Sequence, residues 1–170
     1  MKLSNIKDQK GFTLVELLIV IAIIAILAAI VYVALDPGTR FADARDARRA
    51  ADIVGILHAA KIDQVDNGGD YETNIEALTA DEIYMIGTGA AGECDDNNAY
   101  CDTNPTSEDH CVDISSLVTE GYLGEVPISP NGDGTWDADL TGYTITVVNG
   151  KTLRVRSCES ENRGEISSVR

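Results

Sequence analysis

The chain has 170 residues, a formal net charge of −15, four cysteines and only 5% aromatic residues. A surface this acidic repels phosphate backbones, which argues against direct nucleic-acid binding, and it suits solubility outside a membrane and attraction for divalent cations. Beyond a hydrophobic N-terminal stretch there is room for one small domain with few large core side chains, a size at which exported domains lean on disulfides or metals.

Residues 7–35 read KDQKGFTLVELLIVIAIIAILAAIVYVAL. From Leu17 to Leu35 there is no charge, and only the Tyr32 hydroxyl interrupts the hydrocarbon. At about 1.5 Å per residue this run covers about 28 Å, close to the hydrocarbon thickness of a bilayer. A secretory signal has a shorter apolar region followed by its cleavage site. Here the candidate cut, Gly11-Phe12, precedes the apolar run, so the mature protein would keep the whole segment. Lys2, Lys7 and Lys10 place the N-terminus in the cytoplasm and the rest outside. Glu16, a carboxylate at the edge of a membrane segment, is costly there and is a functional candidate.

The stretch KGFTLVELLIVIAIIAILAAI resembles the N-terminus of type IV pilins and of the pseudopilins of type II secretion. That resemblance implies a leader, 1–11, removed by a prepilin peptidase, with Phe12 becoming the new N-terminal residue and the site of N-methylation. It implies an assembly role for Glu16, which matches the family glutamate thought to pair with a neighbouring subunit's N-terminal amine. An ordinary signal anchor is the competing reading, and it explains neither Gly11 nor Glu16. The implied layout is a transmembrane helix over 12–35, an amphipathic half over 36–66, and an extracytoplasmic head over 67–170. With the leader removed the chain carries −17, and from residue 67 onward 20 carboxylates face 5 Lys/Arg.

Pro37 disfavours helix at Asp36, so a break is expected there, with Asp36 capping a helix that restarts at Pro37. Helix is predicted over 39–65, with Ala47, Ala50, Val54 and Leu57 as its apolar stripe, widened by Ile53 and Ala60. On the opposite face the spacing pairs Asp36 with Arg40, Asp46 with Arg49 and Arg48 with Asp52. Two readings stand for that face: a solvated surface, or one that holds neighbouring subunits through an unpaired Arg45. Asn67-Gly68-Gly69 ends the helix. RFADARDARRAADI, followed by a helix ending in DNGG, extends the resemblance to pilin-type subunits.

A helical turn is predicted over 76–82 and a short strand over 83–86. The glycines of 87–92 match a dinucleotide fingerprint by letters alone, because the acidic run after them opens no helix; they read as a flexible loop. A capped turn starts at Asp113 and ends at Gly121. The irregular GYLGEVPISP segment resembles the proline-rich segment before the sheet loop of major pseudopilins. Two alternating runs, 143–148 and 153–156, flank Asn149-Gly150 and predict a hairpin; 165–169 adds a third strand. The expected fold is α+β: a long N-terminal helix, transmembrane then amphipathic, packed on a small antiparallel sheet head.

Cys94, Cys101, Cys111 and Cys158 lie in the exported portion and read as two disulfides, with three possible connectivities. In one, Cys94 with Cys101 closes a short loop and Cys111 with Cys158 ties the capped turn to the second hairpin strand. Zinc is the alternative, although gaps of six, nine and forty-six residues are not the usual metal spacing. The loop 131–139, NGDGTWDAD, spaces oxygen-bearing side chains at every second residue, as calcium prefers, but lacks the glutamate of an EF-hand. It follows the proline segment, where major pseudopilins carry calcium, so Asp133, Asp137 and Asp139 are candidate ligands; the alternative is a solvated acidic turn. No catalytic arrangement accompanies His58 or His110.

The function implied is a structural subunit of a type IV pilus-like or pseudopilus filament, a helical homo-oligomer assembled from the inner membrane by an ATPase-driven platform. Ala22, Ala25 and Ala29 would allow close helix approach. Its partners are the prepilin peptidase, the platform and membrane lipid, and it ends in a periplasmic or extracellular filament. The alternative is a minor pilin, or a membrane-anchored head acting as a binding or adhesion module.

Overall fold

The computed structural model describes residues 11–90, 92–94, 98–107 and 110–170. Residues 1–10 of the expected leader, and parts of the expected loops at 91, 95–97 and 108–109, lie outside them. The chain falls into two compact units, Met1–Arg40 and Phe41–Arg170.

In the first unit, helix α1 spans Leu14–Leu35 and buries none of its residues. Apolar side chains cover it all round, which fits lipid because its backbone groups are satisfied internally. It is the one helix among the described residues long and apolar enough to cross a membrane. Asp36 interrupts it in the left-handed region, at φ 40°, and α2 begins with Pro37 in its first turn. The Asp36 carboxylate accepts the Thr39 hydroxyl and forms no ion pair with Arg40, contrary to the spacing.

Helix α2, Pro37–Asp66, supplies the spine of the second unit. Its buried face is rotated from the predicted stripe: Ile53, Ile56, Leu57, Ala59 and Ala60 are buried, together with Ala42, Asp46, Arg49, Asp63 and Gln64. Ala47 and Val54 are exposed. A stripe chosen on apolarity alone skips charged positions, and here three of those charges, Asp46, Arg49 and Asp63, are core-facing. The helix ends where expected, with Gly68 and Gly69 at φ 74° and 115°.

One turn of helix, α3 (Thr73–Glu76), comes slightly ahead of its predicted place, and α4 (Ser115–Thr119) follows Asp113, whose carboxylate accepts the Ser115 amide at 2.8 Å. Strands β1 (Tyr84–Met85), β2 (Tyr143–Val148), β3 (Thr152–Ser157) and β4 (Ser167–Val169) form an antiparallel sheet in the order β1-β2-β3-β4. Val147 opposes Leu153 and Ile145 opposes Val155. The tip residues Asn149 and Gly150 both have positive φ, 50° and 76°, the backbone that a tight hairpin demands. The expected α+β arrangement, a long N-terminal apolar helix with a small antiparallel sheet, is the one observed.

Tyr143, Ile145, Val147, Leu153 and Val155 on one face of the sheet share a core with Ile53, Ile56, Leu57 and Ala60 of α2. Part of the other face is covered too, since Thr144 and Thr146 are buried. A second cluster forms from Met85, Trp136 and the cysteines 94, 101 and 158. The disulfides join Cys94 to Cys111 and Cys101 to Cys158. The pairing of Cys94 with Cys101 and of Cys111 with Cys158 is therefore corrected. Ile86 bridges Val112, which draws Cys111 alongside the loop after β1 that carries Cys94, while Cys101 meets the end of β3.

Candidate assembly site and buried arginine hub

Gly11 and Phe12 stand exposed just before α1. Thr13 is its N-cap, and the Thr13-x-x-Glu16 spacing forms a capping box. The Thr13 amide and hydroxyl donate to Glu16 Oε2 at 2.8 and 2.7 Å, and the Glu16 amide donates back to Thr13 Oγ1 at 3.2 Å. Glu16 is thus not a lone carboxylate: it closes the first turn of the helix, where acidic side chains also suit the helix dipole. The Thr13-x-x-Glu16 spacing encodes this box locally, within the stretch that also carries the family motif.

The second unit holds a site that spacing does not announce. The Arg49 side chain is fully buried. It pairs with Asp46 at 2.8 Å, Glu161 at 2.8 Å and Glu159 at 3.2 Å. It also donates to Ser129 Oγ at 3.2 Å and to the Pro130 carbonyl at 2.9 Å. The predicted pair of Asp46 with Arg49 exists, but buried within the second unit and not on a solvated face. Arg45 is not unpaired either; it forms a two-pronged ion pair with Glu161. The Arg48–Asp52 pair, at 3.7 Å, is the exposed one, while Asp52 also accepts the hydroxyl of buried Tyr143 at 2.7 Å.

Burial alone would raise the Asp46 carboxyl, but the amides of Asn162 and Glu161 and the Arg49 guanidinium outweigh it, so it sits below the ordinary range. Arg45 is the main cause that drives Glu161 down, to about 2, with Arg49 adding to it against the opposing effect of burial. Burial works against the Arg49 charge, yet Glu161 and Asp46 hold it above its usual value. These four charges stay ionised because each has partners.

Glu159 organises the loop 131–139, the candidate calcium site. Its carboxylate accepts the amides of Gly132, Asp133 and Gly134 at 3.2, 2.9 and 3.3 Å and the Trp136 indole at 2.6 Å. A Cβ at Gly132 would lie 2.7 Å from Glu159 Oε2 and 3.1 Å from Arg49 Nη2, so glycine lets this backbone approach the ion pair. Asp137 accepts the amides of Asp139 and Leu140 at 2.9 and 3.0 Å, and Asp139 accepts the Thr88 hydroxyl at 2.8 Å. Asp133 contributes its backbone amide. Among the described residues, no group of three or more His, Cys, Asp or Glu is placed to hold a metal ion. The loop offers its amides inward to an anion from its own chain. Nothing in the spacing links residue 49 to 129–134 or 159–161, so neither Arg49 nor Glu159 was a sequence candidate.

Residues 6–32 match the prokaryotic N-terminal methylation motif. The chain carries the prepilin-type signal of type IV pilins and pseudopilins. That motif points to a structural protein and includes Gly11, Phe12 and Glu16 together with most of α1. No curated protein and no solved structure matches the chain.

Proposed function

We propose that this chain is a structural subunit of a type IV pilus-like or type II secretion pseudopilus filament, assembled from the inner membrane after leader cleavage. The methylation motif running into a fully exposed 22-residue apolar helix carries the reading. Cleavage after Gly11 would free the Phe12 amine one turn from Glu16. Before assembly, Thr13 satisfies the carboxylate; in a filament, a neighbour staggered along the axis would bring its own amine there. The exchange favours the docked register, because a carboxylate in a low-dielectric bundle gains most from a cation beside it. Prepilin peptidase, an assembly platform with its ATPase and membrane lipid are the partners this role requires. The N-terminus would face the cytoplasm and the second unit the outside.

Intact-mass analysis of the protein from its native membrane tests this. The expected mass is that of a chain beginning at Phe12 and heavier by one methyl group, recovered in sheared filaments. A mature chain beginning at Met1, or inside the apolar run, overturns the proposal.

A further inference from the structure

At the C-terminal end of α2 lies a groove of about 320 Å³ lined by His58, Lys61, Ile62, Val65 and Arg170. Its floor is apolar, with Val65 72% exposed, and its rim is cationic. That is unusual in a chain with 28 carboxylates and 13 Lys/Arg. Arg45, Arg49 and Arg156 are neutralised internally, whereas neither Lys61 nor Arg170 forms an ion pair among the described residues. Lys61 has only neutral partners, Gln64 Oε1 at 2.7 Å and the hydroxyl and ring of Tyr71. Arg170 is fixed by a reciprocal backbone pair with Leu153. Along the helix, Asp63 is buried and accepts the Asn67 side-chain amide and the Glu72 backbone amide, and Asp66 accepts the Tyr122 hydroxyl.

The complementary surface is on the same molecule. A cleft of about 480 Å³ is lined by Asp102, Asp133, Glu159 and Glu161, with Tyr100 at its edge and Ala42 of α2 in its wall. Tyr100 is 44% exposed. Ala42 and Ile62 are twenty residues apart on α2, about 30 Å along the axis. The cationic groove of one chain therefore cannot meet its own acidic cleft.

We infer that the groove at 58–65 docks the Tyr100–Asp102 lip of the acidic cleft on a second copy of this chain. Tyr100 covers Ile62 and Val65, and Asp102 and Asp133 face Lys61 and Arg170. The contact is heterologous: each copy uses a different surface at each end of α2, so it repeats along the helix direction without closing. Steering between unlike charges fixes register more than it adds affinity, and salt screens it within about 10 Å. This contact rests on the filament reading and supplies its head-to-head register.

The test is a charge swap in the full-length chain, expressed with its processing peptidase. Lys61→Glu and Asp102→Lys should each lower the yield of sheared filaments at least tenfold, and the double variant should recover to within threefold of wild type. Tryptophan-monitored unfolding of each variant checks that it folds. In parallel, a photo-crosslinking residue at Val65 should give a covalent dimer whose linked peptide contains Tyr100. Filaments that form equally well in both single variants, or a double variant no better than either, overturn the contact and leave the filament reading standing. A dimer linked through Tyr100 in membranes that build no filament overturns the filament reading and keeps the contact. Absence of that dimer, or a link elsewhere, overturns the contact.

Discussion

Replacing Arg49 with methionine should destabilise the second unit sharply. Methionine keeps most of the side-chain length and removes the charge from a fully buried position. Asp46, Glu159 and Glu161 would each lose a partner, and Ser129 and the Pro130 carbonyl would each lose a donor. Removing one member of a buried ion pair typically costs about 3–5 kcal/mol. The remaining donors argue for the lower half of that range, since Glu159 keeps three amides and an indole and Asp46 keeps two amides. For a unit spanning Phe41–Arg170, each kcal/mol moves Tm by about 3–5 °C, so the loss should be about 9–20 °C. The single tryptophan, Trp136, donates to Glu159 and reports on the hub directly. The assay is its fluorescence during thermal unfolding of the detergent-solubilised chain. Arg45→Met is the control: that side chain is 36% exposed, so its loss should lower Tm far less than that of Arg49. An Arg49→Met variant melting within 3 °C of wild type, or no lower than Arg45→Met, would refute the reasoning.

Acid should weaken the same hub. Glu161 falls from 4.5 to about 2 on folding, and Asp46 is also lowered, so their contribution is full above about 4.5 and is lost as the pH drops towards 2. Burial raises Glu72, which therefore acts in the opposite sense, but it is one group against two. The urea midpoint followed by Trp136 should decline between pH 5 and 2.5; a constant midpoint would contradict this. For the loop 131–139, whose amides are already gathered by Glu159, chelation followed by calcium should move Tm by less than 2 °C. A rise of 5 °C or more would assign Asp133, Asp137 and Asp139 as ligands.

What could be read from the sequence was whatever is encoded locally. The apolar run, the Gly68-Gly69 stop, the Asn149-Gly150 hairpin and the strand near residue 167 each carry their own signal within a few residues. The buried face of α2 does not. Its charges, Asp46 and Arg49, look solvated until residues 159–162, more than a hundred positions away, fold back to meet them. The cysteines behave in the same way: short spacing favoured Cys94 with Cys101, whereas the bridge from Ile86 to Val112 decides which sulfurs meet. At the N-terminus the opposite happened. The Thr13–Glu16 box is encoded within four residues, but the same residues carry the family motif, which masks the role of Glu16 within its own helix.

The hub explains how a head poor in aromatic residues can present a defined surface. Arg49 and Glu159 tie α2 to two loops, 129–134 and 159–161, that no strand pairing holds. Those loops form the wall of the acidic cleft. Fixing them through charges that are already paired removes most of the ordering cost that a mobile docking surface would incur on assembly. It also separates two uses of charge. Glu159 and Glu161 are spent on internal arginines, while Asp102 and Asp133 keep their carboxylates outside the hub. On the filament reading proposed above, docking repeated along one axis needs that division, because a cleft whose every carboxylate was neutralised internally would have nothing to offer the next cationic groove.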